Sequence, residues 1–166
     1  MDELVTIATR VGIVGVALIG VALFAFSAFI KAALKRLPDA EGIRAMRAIN
    51  RTVHTPWFMG PFFGTALLSL GAIVLGGMNA DEPWGPALAA AGFLHVAGVF
   101  VAGVFVVTAA GNVPMNKRLD ALDPDDPDAA AYWNRYLVVW TRWNHLRTLA
   151  SVGSALLFVE SVRLMG

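Results

Sequence analysis

The sequence predicts an all-α membrane protein: a four-transmembrane-helix bundle, up-down and antiparallel, with an amphipathic lead-in to the second helix and a long fourth helix. Three observations carry that expectation. Apolar residues make up 57% of the 166-residue chain against 15% charged, with a mean hydropathy of +0.64, whereas soluble domains carry roughly 45–50% apolar residues. The apolar residues gather in long runs. The links between those runs are short, which favours antiparallel neighbours. One integral membrane domain, 1–166, with spans at about 11–30, 57–78, 87–110 and 143–163, accounts for the chain.

The first run, Val11 to Ile30, holds 20 residues without a charge. At about 1.5 Å per residue it crosses the roughly 30 Å hydrocarbon core. A signal peptide carries its positive charge before a shorter apolar stretch; here Lys31, Lys35 and Arg36 follow the run, so the segment is expected to be retained. Pro38 and Asp39 break the pattern and open the lead-in, with Asp39 the expected N-cap. Ile43, Met46, Ile49 and Val53 share one face of it, and Arg44, Arg47 and Arg51 form a basic stripe suited to anionic lipid head groups. The second span runs from Trp57 to Met78, with Gly60 and Gly64 at a spacing that admits a close neighbour.

Asn79 to Pro86 is a turn-rich link, and the third span, rich in Ala and Gly, begins at Ala87. GNVPMNKRL follows it, then an acidic loop in which Asp126 and Pro127 read as an N-cap and first helical position. The apolar part of the fourth helix, Arg147 to Arg163, is 16 residue steps, or about 24 Å, short of the hydrocarbon thickness. The turn before it is therefore drawn to the membrane boundary. Trp133, Tyr136, Trp140, Asn144, Arg147 and Ser151 fall there on one stripe, at steps of three and four.

All but two of the 13 Lys and Arg, Arg10 and Arg163, lie in the first and third connections or at the start of the fourth helix. The positive-inside rule then puts that end in the cytoplasm and both termini outside, in a plasma (inner) membrane. A net charge of +1 and dispersed Lys and Arg exclude a nucleic-acid-binding module. The absence of cysteine excludes disulfides and thiolate chemistry. Homo-oligomerisation is left open.

The cytoplasmic ends of the second, third and fourth spans bring together Asn50 and His54, Asn112 and Asn116, and Asn144, His145 and Arg147. Amides, an imidazole and a guanidinium on converging helices can line a pocket. The plainer reading is that such residues cap carbonyls, snorkel or bind lipid phosphate, and that Trp140 and Trp143 belong to an interfacial aromatic belt. No metal site is expected: His95 lies mid-span, roughly 25 Å along the helix from Asn112 by the helical rise, and no carboxylate lies within the spans to complete one. Glu160 most simply pairs with Arg163 at three-residue spacing.

MRAIN before the second span, GNVPMNKRL after the third and WNRYLVVWTRWNHLRTLAS entering the fourth together resemble the anthrone oxygenase-like family of small four-helix membrane proteins. The resemblance covers most of the chain and carries over Asn50, Asn112, Pro114, Asn116, Trp140, Asn144, His145 and Arg147. It implies an oxidoreductase of the monooxygenase type that converts anthrones to anthraquinones with no cofactor, on a small lipophilic aromatic substrate. Such chemistry needs a base, an anion-stabilising group and exclusion of water. His54 or His145 would serve as the base and Arg147, with Asn144 or Asn112, would hold the anion. Asn50, Asn116, Trp140 and Trp143 would complete the substrate contacts. The competing expectation is a noncatalytic bundle, a lipid-binding accessory or a subunit of a larger assembly, whose polar ends anchor it.

Overall fold

A computed structural model describes residues 2–97 and 112–166. Every regular element in them is helical: α1 Asp2–Ala25, a π-helical turn Phe26–Ile30, α2 Lys31–Leu34, α3 Asp39–Thr52, α4 Pro56–Met78, α5 Gly85–His95, α6 Asn112–Ala121 and α7 Pro127–Met165. Three stretches are long and apolar enough to cross a membrane: Glu3–Leu34, Pro56–Met78 and Pro127–Met165. The first is longer than the charge-free run suggested, because α1 begins ahead of Val11 and the helix continues through the π-helical turn into α2. The expected third span begins as α5, and its second half, residues 98–110, lies outside the described residues.

Two larger cores, with a small cluster of Ile19, Leu23 and Phe62 besides, organise the described residues. At one end, Val16 of α1, Ala72 of α4, Leu88 and Ala91 of α5 and Phe158 of α7 pack together. The buried Ser154 hydroxyl donates to the Ala91 carbonyl at 2.7 Å, joining α7 to α5. At the other end, Leu34, Ile43, Met46, Leu119, Trp133, Tyr136 and Trp140 form an aromatic core that joins α2, α3 and α6 to the first half of α7. Outward side chains along α1 and α4, including Leu18, Val21, Leu67 and Val74, stay exposed. An apolar exterior over two such helices is what lipid contact requires.

Local chemistry explains most boundaries. Asp126 caps α7 with an extended backbone, its side chain accepting from Asp128 N at 2.8 Å ahead of Pro127. Asp39 does not cap α3: Pro38 holds the N-cap position and Asp39 is the first helical residue, with Glu41 in the same turn facing the positive helix end. Pro114 lies within α6, and the residues ahead of Asn112 lie outside the described ones.

Among the described residues the close approach of helices falls elsewhere than at Gly60 and Gly64, where no described atom comes within 4 Å of an added Cβ. It falls between α4 and α5, where a Cβ at Gly76 would strike the backbone of Gly85 and Ala89, and one at Gly92 the Ser69 carbonyl. The basic stripe of α3 finds partners within the protein. Arg44 pairs with Asp125, and Arg51 with Asp120 at 2.8 Å. Arg47 donates from Nε to the Leu119 carbonyl at 2.8 Å and from Nη2 to that of Leu122, capping the C-terminal end of α6.

Candidate functional site

The stripe on α7 is the spine of the polar end. Trp133, Tyr136, Trp140, Asn144 and Ser151 are all buried, as their three- and four-residue spacing requires of one helix face. Asn144, fully buried, donates through Nδ2 to the Leu23 carbonyl at 2.6 Å and to Ser27 Oγ at 2.8 Å. Its Oδ1 accepts from Arg147 Nη2 at 3.0 Å. These bonds tie α7 to α1 where the latter changes into the π-helical turn, a kind of register slip that recurs at functional sites. The Asn144 amide is thereby fixed, and it orients the guanidinium.

Arg147 brings charge into this network. Its guanidinium stands 5.4 Å from the Trp140 ring centroid, and its Nε is buried without a hydrogen-bond partner among the described residues. Tyr136 donates its hydroxyl to Asn116 Oδ1 at 2.7 Å, with the Asn50 side chain a second hydrogen-bonding neighbour. Around these groups lies a cavity of about 160 Å³. Asn50, Asn116, Trp140, Asn144 and Arg147 supply its polar wall and Phe26, Met46, Ile49 and Phe58 its apolar one. Among the described residues no carboxylate lines it. A larger cavity of about 920 Å³ opens at the far end between α1, α4 and α7. Among the described residues Thr9 is its only polar side chain, and the smaller cavity, with its amides and guanidinium, is the better candidate for chemistry.

Five of the residues expected from sequence thus meet around one space. His54, His145 and Trp143 do not line it, and both histidines are exposed. For His54 the reason is that α3 ends at Thr52, so its four-residue spacing from Asn50 no longer means a shared face. For His145 it is the helical turn itself, which points the residue after inward-facing Asn144 outward. The Asn112 side chain lies outside the described ones. His95, fully buried in α5, has its Nε2 3.2 Å from Thr65 Oγ1 of α4.

One residue of this region escaped the sequence reading. Lys31 is only 6% exposed, and its ammonium lies 4.2 Å from the Tyr136 ring centroid, 4.3 Å from that of Trp140 and 5.8 Å from that of Trp133. By position it is one of several basic residues following an apolar run. Its one signal was the stripe of aromatic residues in α7, which needed something to face.

Helices of membrane-spanning length, joined at one end by an aromatic core beside a cavity of amides and a guanidinium, define a helical membrane protein with a polar chamber at one end. The family model described as Anthrone oxygenase matches residues 54–157. That is more than half of the chain, and the chain belongs to this family. Neither the curated proteins nor the solved structures hold a match to it.

Proposed function

We propose that the protein is a membrane-embedded oxygenase of the anthrone type, which takes a small lipophilic aromatic substrate into the chamber lined by Asn50, Asn116, Trp140, Asn144 and Arg147. The observation that carries this reading is the Arg147 guanidinium: its Nε is buried beside the cavity, it is held by Asn144, and it has no acidic partner among the described residues. An unneutralised buried cation is costly by itself and favours an anionic guest. Loss of a proton from the methylene carbon of an anthrone produces such a guest, a delocalised enolate. The enolate passes an electron to O₂, the two radicals combine into a carbon-bound peroxide anion that takes back a proton, and elimination of water from the resulting hydroperoxide leaves the quinone carbonyl. Each O₂ consumed thus yields one water and one quinone oxygen, and no outside reductant enters.

The chain's part is to stabilise the enolate and exclude bulk water. Arg147 and the amides of Asn50 and Asn116 are the groups assigned to face the anion, with Asn144 holding the guanidinium, and Trp140 offers a flat face for a fused-ring system. The proton leaves to solvent, either directly or through exposed His54, whose neighbour Val53 lines the cavity, or through exposed His145. At about 160 Å³ the chamber is smaller than the roughly 300–1,000 Å³ of common ligand sites. Phe58, half-buried in the first turn of α4, is the wall element we assign to move aside for three fused rings. We place the chamber on the cytoplasmic side of a plasma membrane with both termini outside, since Arg10 and Arg163 alone among the Lys and Arg lie towards the other end.

A second reading has one observation in its favour. The Asn144 amide is fully engaged in joining α7 to α1, as it would be in a noncatalytic bundle that binds lipid or serves a larger assembly. Purified protein in detergent, given a reduced anthrone under oxygen, separates the two. Quinone formation above buffer that is lost in Arg147→Ala supports the enzyme and its site; full activity in that variant moves the chemistry away from Arg147, and no formation above buffer leaves the noncatalytic bundle.

A further inference from the structure

Lys31 has no part in the chemistry just described, yet it stands behind the chamber wall. Its burial is unusual because nothing neutralises it: the ion pairs among the described residues are Arg44–Asp125, Arg51–Asp120 and Arg163–Glu160, and Nζ has no hydrogen-bond partner among the described residues. Aromatic faces attract an ammonium but replace only part of its lost hydration. A structural lysine would more simply snorkel outward from the end of α2.

The backbone shows how it is held inward. The Lys31 N–H donates to the Phe26 carbonyl, an i→i+5 bond that closes the π-helical turn. Such a bond returns the chain to the same face after five residues, where an α-helix would have rotated away. Phe26 and Lys31 are therefore both directed at α7: the Phe26 ring packs on Trp140 at a centroid distance of 5.6 Å, and Lys31 lies over Tyr136 and Trp140. Trp140 thus carries two cations, Lys31 at 4.3 Å and Arg147 at 5.4 Å from its centroid, and it lines the chamber. Tyr136 carries the same ammonium on its ring and hydrogen-bonds Asn116 of the chamber wall.

We propose that Lys31 is the second cation of the anion site, a positioning residue that makes the chamber select the ionised form of a hydroxylated or enolisable fused-ring aromatic. It touches no substrate; its charge acts across the Trp140 and Tyr136 rings. The inference rests on the chamber being an anion site but not on turnover.

The probe is alizarin, a hydroxyanthraquinone whose visible band shifts on ionisation, added to the full-length protein in neutral detergent at a fixed pH where the free dye is mostly un-ionised. Wild type is expected to bind the dye with the phenolate band dominant. In Lys31→Met and Lys31→Gln the bound phenolate-to-phenol ratio falls about tenfold, the equivalent of one pKa unit, while Lys31→Arg keeps the wild-type ratio; circular dichroism reports folding. Two results overturn the role of Lys31 alone: an unchanged ratio in a folded neutral variant, or a folded Lys31→Arg that binds the neutral dye. If wild type binds no phenolate, the anion site itself falls and Lys31 with it.

Discussion

Asn144 Nδ2 lies 2.6 Å from the Leu23 carbonyl, a buried bond between residues 121 positions apart that fastens α7 to α1. Asn144→Leu leaves that carbonyl, Ser27 Oγ and the Arg147 guanidinium without their partner at once. Stranding a buried polar group costs about 1–3 kcal/mol, more when it is charged. Thermal unfolding in detergent should therefore show a clear loss of stability for Asn144→Leu. Equal stability would mean that this bond does not hold the two helices together.

Arg47 makes the same kind of argument outside the bundle. Its guanidinium bonds the carbonyls of Leu119 and Leu122, the only side chain shown to cap that end of α6 among the described residues. Hydrogen bonds to a charged group contribute about 1.5–3 kcal/mol. Arg47→Met keeps the aliphatic stem but removes the cap. It should raise the rate of limited proteolysis between residues 120 and 126, whereas Arg44→Met, which removes an exposed pair with Asp125, should change it little.

The stripe on α7 was legible because its periodicity is that of an unbroken helix, so Trp133, Tyr136, Trp140, Asn144 and Ser151 came out on one buried face. Asp126 and Pro127 starting α7, and Glu160 pairing with Arg163 at 2.6 Å, were legible for the same reason, being local rules within one helix. Asn50, Asn116 and Arg147 could be grouped once the helices were placed side by side. What failed depended on where regularity stops. Lys31 was read as one more interfacial charge, since nothing in its neighbours announces a π-helical turn. The spacing of Asn50 and His54 lost its meaning because α3 ends between them. The basic stripe of α3 could not show its acidic and carbonyl partners, which lie about 70 to 80 positions away.

The α4–α5 contact gives a packing prediction. An added Cβ at Gly92 would meet the Ser69 carbonyl, and neither helix backbone can yield as a flexible side chain can. Gly92→Val should push the helices apart and destabilise the fold by about 1–3 kcal/mol, the usual penalty for overpacking. The loss should appear as a lower unfolding midpoint in detergent. A midpoint at or above that of wild type would place the contact of α4 and α5 somewhere other than at Gly92.

Arg147 and Trp140 allow the site to be tested apart from the scaffold. Arg147→Lys keeps a positive charge, but its ammonium cannot reproduce the guanidinium fork that bonds Asn144 Oδ1 while facing both Trp140 and the chamber. If the enolate is stabilised there, turnover of an anthrone should fall about 10²–10³-fold, the size of effect seen when one donor to a developing anion is lost. KM should change much less, because the neutral ketone that binds first has little charge for the guanidinium to meet. Trp140→Leu should do the reverse, raising KM through loss of the flat face while leaving kcat closer to wild type. Parallel losses in kcat and KM for both variants would instead mean that the two residues act together on binding, with no separate contribution of Arg147 to the transition state.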